Sequence, residues 1–213
     1  MDFCLYLITD RKQTRFGKSL ESVLERAFEA GVRGVLLREK DLPDKECLLL
    51  AQRLRDLTLR HRVRLMVSGR VDIAMAVGAD GVHMPSGVSG IGDVRGQIGV
   101  EKYLAVSTHS MDEARRAQDE GADFITFGPV FFTPSKAKYG QPVGVEALEA
   151  VCREIKIPVF ALGGINEENA LEPLKAGAFG LAVISAVIAA EDPGVAARRL
   201  MEKIRSFKMR KFI

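Results

Sequence analysis

At 213 residues the chain has room for a full hydrophobic core, and 31 Lys and Arg against 28 Asp and Glu leave a surplus of only three positive charges, too few to mark its body as a nucleic-acid binder. The surplus gathers in the closing "RRLMEKIRSFKMRKFI", where Leu200, Ile204 and Phe207 recur at helical spacing, so an amphipathic helix with a solvated basic face accounts for it. Cys4, Cys47 and Cys152 are odd in number and far apart, which fits neither a disulfide framework nor a thiolate metal site and reads as core thiols in a reducing compartment.

The opening "MDFCLYLITDRK" has no basic leader, and Asp10 and Arg11 cut its apolar run short, so no signal peptide is expected. No run approaches the ~20 apolar residues of a membrane-spanning helix. A cytoplasmic protein without nucleic-acid or membrane partners is the expectation.

In chain order, apolar runs predict strands near 4–9, 33–38, 64–68, 80–84, 103–107, 123–129, 158–162 and 180–185, with helical patterns between them such as "SLESVLERAFEAG", "DKECLLLAQRLRDLTLRH", "MDEARRAQDEG" and "GVEALEAVCREI". One joint repeats: "EAGVRGVLL", "AVGADGVHM", "DEGADFITF" and "KAGAFGLAV" each close a helix on a glycine (Gly31, Gly78, Gly121, Gly177) just before an apolar run. Glycine suits the left-handed residue that ends a helix, and a near-continuous apolar run suits a strand covered on both faces. Eight such units without a linker predict an α/β fold, a (β/α)₈ TIM barrel forming one domain over 1–213. A doubly wound open sheet is the alternative, but "YLITDRKQT" after the first strand lacks the glycine-rich turn of a dinucleotide site.

A barrel of this kind places its chemistry at the C-terminal ends of its strands. The first candidates there are Arg38 and Lys40 of "REK", which alternation points the same way, with Glu39 facing away. They hold either an anion or a salt-bridge network inside the barrel. Ser68, Gly69 and His83 follow, His83 as a hydrogen-bonded residue of the mouth or as a working one. Next come Ser107 and His109 of "AVSTHS", where His109 is either the proton-moving group or a helix-capping residue. The loop 128–144, "GPVFFTPSKAKYGQPVG", offers Thr133, Ser135 and Lys136 as binding groups, while Phe131 and Phe132 read as anchors to the rim rather than stacking partners. Gly163 and Gly164 of "ALGGIN", with Ile184 and Ser185 of "AVISAV", stand where such barrels grip a phosphate, unless they form only tight turns. His61, at a helix end, reads as a solvated cation.

Together, "LYLITD", "LLREK", "GRVDIAMAVGADGVHM", "VSTHSMDEA", "GPVFFTPSK", "ALGGINEENA" and "GLAVISAV" resemble, in order and over nearly the whole chain, the thiamine phosphate synthase/TenI superfamily. The resemblance implies the same barrel and suggests a homodimer. Its synthase branch joins a pyrimidine diphosphate to a thiazole phosphate, using Mg²⁺ to bind pyrophosphate. In that branch's pattern a Gln stands at Leu36, Asn-Asp at Ser68-Gly69, and a second Asp near Val88. Neutral residues there resemble the TenI branch, whose thiazole tautomerases shift a proton without metal. The expectation is therefore a metal-free, cofactor-free thiazole tautomerase. In it Gly164 and Ser185 meet the phosphate, Arg38 and Lys136 the anionic substrate, and His109 moves the proton, with Ser107, Thr133 and Ser135 lining the pocket. A Mg²⁺-dependent synthase, a silent phosphate-binding homologue and other phosphate-using barrels are the competing readings.

Overall fold

The computed structural model describes residues 1–133 and 141–210. Strands β1 (Leu5–Ile8), β2 (Gly34–Leu37), β3 (Arg64–Ser68), β4 (Gly81–Met84), β5 (Tyr103–Thr108), β6 (Phe124–Phe127), β7 (Val159–Leu162) and β8 (Gly180–Val183) run in sequence order around a closed parallel barrel. Closure is visible in β1, which pairs Tyr6 with Gly34 on one side and Leu5 with Leu181 on the other. The TIM-barrel expectation is met, with each strand within two residues of its expected place.

Helices α1 (Leu20–Glu29), α2 (Asp44–His61), α3 (Val71–Ala76), α4 (Ile91–Ile98), α5 (Met111–Asp119), α6 (Gly144–Glu154), α7 (Leu171–Lys175), α8 (Ser185–Ile188) and α9 (Pro193–Arg210) complete the described elements, with a 3₁₀ turn at Arg11–Gln13. Ser19 and Ser110 cap α1 and α5, each hydroxyl accepting a backbone N–H three residues on, as N-cap residues do. Gly31, Gly78, Gly121 and Gly177 all have positive φ, which is why these joints read so clearly in the sequence.

Strand side chains alternate between two cores. Leu5, Leu7, Val35, Leu37, Leu65 and Val67 pack outward under the helices, while Tyr6, Ile8, Leu36, Met66, Ala105, Phe124, Phe160 and Ala182 fill the barrel with Phe3. Both faces are buried, so the strands show no polar alternation. The closing helix α9 buries Leu200 and Ile204 and packs Phe207 against the outer core, as the amphipathic reading expects. No helix among the described residues is long and apolar enough to cross a membrane.

Candidate active site at the mouth of the barrel

A cavity of about 450 Å³ opens at the C-terminal ends of the strands. Among its lining residues are Arg38, Lys40, Ser68, His83, Ser107, His109, Thr133, Gly163, Gly164, Ile184 and Ser185, so one mouth brings together the strand-end candidates within the described residues apart from Gly69. Ser135 and Lys136 lie outside the described residues. Gln13 and Arg15 also line the cavity and escaped the sequence reading. Their signal was the charged run "DRKQTR" after the first strand, which served only to exclude a dinucleotide turn.

Local structure aims each group. Glu39, between Arg38 and Lys40, turns away from the mouth and accepts the Arg11 backbone N–H at 3.0 Å and its guanidinium at 3.1 Å, as strand alternation requires. Arg38's backbone N–H donates to the Thr9 hydroxyl at 2.9 Å, tying the ends of β1 and β2 together. Arg70 ties the loop after β3 to the loop after β2 by donating to the Leu42 carbonyl at 2.6 Å.

His109 Nδ1 donates to the Gly128 carbonyl, and its backbone N–H donates to Glu113 Oε2 at 2.6 Å. The ring is thus pinned between β5 and the loop after β6, in the lining of the cavity. His83 is 2% exposed, with Nε2 2.9 Å from Ser107 Oγ. Burial first, and Arg38 second, pull its pKa down to about 3, so the ring is neutral near pH 7. His61 ends α2, 3.7 Å from Glu25.

Gly163 and Gly164 have φ of +101° and +66°, and their freedom serves packing first. A Cβ on Gly163 would come within 2.5 Å of Pro129 Cα, and one on Gly164 within 2.7 Å of Phe131 Cβ. Val130 and Phe131 donate their backbone N–H groups to the Leu162 and Gly163 carbonyls at 2.8 and 3.1 Å. The loop after β6 therefore rests on this glycine pair. Phe131 packs on the outer core as the anchor expected of it, but Phe132 is 65% exposed and anchors nothing among the described residues.

The Mg²⁺ implied by the synthase resemblance finds little to hold it. The strand ends where carboxylates are needed carry Ser68-Gly69 and Pro85-Ser86-Gly87-Val88. Among the described residues no Asp or Glu lines the cavity, and no cluster of three His, Cys, Asp or Glu could hold a metal. Mg²⁺ is a hard cation that takes carboxylate and phosphate oxygens, and the hydroxyls of Ser68 and Ser86 do not fit it.

Comparison with known proteins narrows the reading. A family model described as thiamine monophosphate synthase matches residues 5–187. A Chloroflexus aurantiacus protein named thiamine-phosphate synthase is 42% identical over 200 residues, covering 94% of this chain and 92% of its own. A Geobacter sulfurreducens relative, 53% identical over 206 residues and 94% of each chain, carries the same name provisionally. The solved thiamine phosphate pyrophosphorylase of Pyrococcus furiosus superposes with a TM-score of 0.87 at 36% identity, covering 96% of each chain.

These matches overturn the tautomerase expectation and leave the TenI branch assignment unsupported. Both rested on four neutral positions, Leu36, Ser68, Gly69 and Val88, weighed against a pattern. Relatives named as synthases match the chain nearly end to end, and that agreement outweighs four positions. With the barrel closed, the mouth assembled and the match running from the first strand through α8, the chain belongs to the thiamine monophosphate synthase family.

Proposed function

We propose that this chain is a thiamine-phosphate synthase, a transferase that joins a pyrimidine diphosphate to a thiazole phosphate with release of pyrophosphate. The observation that carries the reading is the end-to-end match to relatives named for that reaction, in a chain whose cavity places Arg15, Arg38 and Lys40 around apolar walls from Ile8, Leu36 and Pro85. Two phosphorylated substrates need cationic groups and a surface for flat rings, and this mouth offers both.

In this reading the bond between the pyrimidine's carbon and the diphosphate oxygen breaks, its electron pair leaves on pyrophosphate, and the thiazole nitrogen supplies the new bond. Arg38, Lys40 and Arg15 meet the charge that accumulates on the leaving group, where preorganised cations act most strongly. Gly164, Ile184 and Ser185 take the thiazole's phosphate. His109 serves as a wall of the site, held in place by the Gly128 carbonyl. The described strand ends, Ser68-Gly69 and Pro85-Ser86-Gly87-Val88, carry no carboxylate for a metal, so the charge on the leaving group falls to Arg38, Lys40 and Arg15. The three unpaired cysteines, whose thiol pKa values burial raises, accord with a cytoplasmic location.

The test offers the pyrimidine diphosphate and the thiazole phosphate separately and together. Pyrophosphate and thiamine phosphate should appear only with both present. No turnover with both substrates present would remove the synthase reading.

A further inference from the structure

A hydrogen-bonded chain runs inside the barrel up to the floor of the cavity. Tyr6 Oη lies 3.2 Å from His83 Nδ1, and His83 Nε2 lies 2.9 Å from Ser107 Oγ. Tyr6 is 0% exposed and His83 is 2% exposed, so neither has bulk water as a fallback partner. His83 and Ser107 line the cavity.

A neutral imidazole carries one N–H, and its position decides the direction of the whole chain. If Nδ1 held the proton, it would donate to Tyr6 Oη, and the phenol's own proton would lack an acceptor among the described residues. A buried donor left without a partner is costly. Tyr6 therefore donates to Nδ1, Nε2 carries the proton, and Nε2–H donates to Ser107 Oγ. The Ser107 proton is then directed elsewhere. Thr126, the register partner of Ser107 on β6, does not take it, since its buried hydroxyl makes no hydrogen bond.

We propose that Tyr6 and His83 are positioning residues that fix Ser107 as a hydrogen-bond donor into the cavity, so that the ligand must present a lone pair without a proton at that point. The chemistry so selected is a bare acceptor, either a phosphoryl oxygen or an unprotonated ring nitrogen. This deepens the synthase reading and rests on it only for the identity of the ligand. Reversing the chain would turn Ser107 into an acceptor toward the cavity and would suit an N–H or O–H donor instead.

The decisive measurement is a long-range proton–nitrogen NMR correlation on the nitrogen-labelled, ligand-free protein at neutral pH. His83 should show a protonated Nε2 and a bare Nδ1. A wild-type His83 that is protonated on Nδ1, or on both nitrogens, overturns the proposal. Should Tyr6→Phe fail to fold, the wild-type spectrum still decides. In titrations with inorganic pyrophosphate and with thiamine phosphate, Ser107→Ala should weaken at least one ligand about tenfold, and Tyr6→Phe should weaken the same ligand by a smaller factor. Unchanged affinity for both in Ser107→Ala overturns the proposal. If the wild type binds neither ligand, the synthase reading fails, while the tautomer result stands by itself.

Discussion

Arg11 and Glu39 are joined three times over: the Glu39 carboxylate, its side chain only 2% exposed, accepts the Arg11 backbone N–H with both oxygens, at 3.0 and 3.2 Å, and its guanidinium at 3.1 Å. The pair clamps the loop that carries Gln13 and Arg15 onto the strand end that carries Arg38 and Lys40. Glu39→Gln keeps the shape and loses the charge, and should cost about 1–2 kcal/mol in a urea unfolding curve, since Arg11 is partly solvated. Pyrophosphate affinity should fall in the same variant because Arg15 loses its mooring. A variant as stable as the wild type, with unchanged affinity, would show that the clamp does not organise the mouth.

Removing a charge from the mouth is the complementary test. Arg38→Met and Lys40→Met should each weaken inorganic pyrophosphate by about tenfold or more, the worth of one charge-assisted hydrogen bond, and binding should weaken further with salt. Titration calorimetry in EDTA and then in excess Mg²⁺ checks the metal side. The two affinities should agree within about threefold, because the described strand ends lack the carboxylates Mg²⁺ needs. Binding that vanishes in EDTA would mean that the ligand itself brings a metal these residues support.

Gly163→Ala is expected to act on stability before it acts on ligand. The new Cβ would press on Pro129 at 2.5 Å and sit at φ +101°, for which a loss of about 1–3 kcal/mol is reasonable. Thermal unfolding measures it. A fully stable Gly163→Ala protein that had lost only phosphate affinity would restore the simpler view that this glycine exists for the anion.

His83 gives stability a pH dependence. Its pKa falls from the usual 6.5 to about 3 in the folded state through burial, so the unfolded chain binds the extra proton first. This contribution is fully present above pH 6.5 and is lost as pH falls from there toward 3. Between pH 7 and 5 the loss should be about 2 kcal/mol. Chemical denaturation across that range should show the slope in the wild type and a flatter one in His83→Gln. Equal slopes would mean that His83 titrates in the folded protein as it does in the unfolded chain.

The barrel was legible because each of its signals is local: an apolar run, a helix-closing glycine, a short spacing. Arg38, Lys40, Ser107 and His109 were legible for the same reason, since the strand-end rule needs only the strand ends. Arg15 was not, because a loop after β1 reaches the mouth only through the Arg11–Glu39 clamp, which spans 28 residues of sequence. Nor was the chain from Tyr6 to His83, whose partners lie 77 residues apart and meet only once the barrel closes. Gly163 and Gly164 were found for a partial reason, since the loop they support packs on them from another strand. The reaction was not legible at Leu36, Ser68, Gly69 and Val88, where a local departure from a pattern says less than the agreement of the whole chain.

The most direct test of the central claim is a phosphorus NMR time course of the purified protein with both substrates. The account predicts that the donor's diphosphate signals give way to free pyrophosphate while the thiazole monoester signal moves to that of thiamine phosphate at the same rate, one for one. A spectrum that stays unchanged, or one in which the thiazole monoester is altered while the donor's diphosphate is left intact, would contradict it.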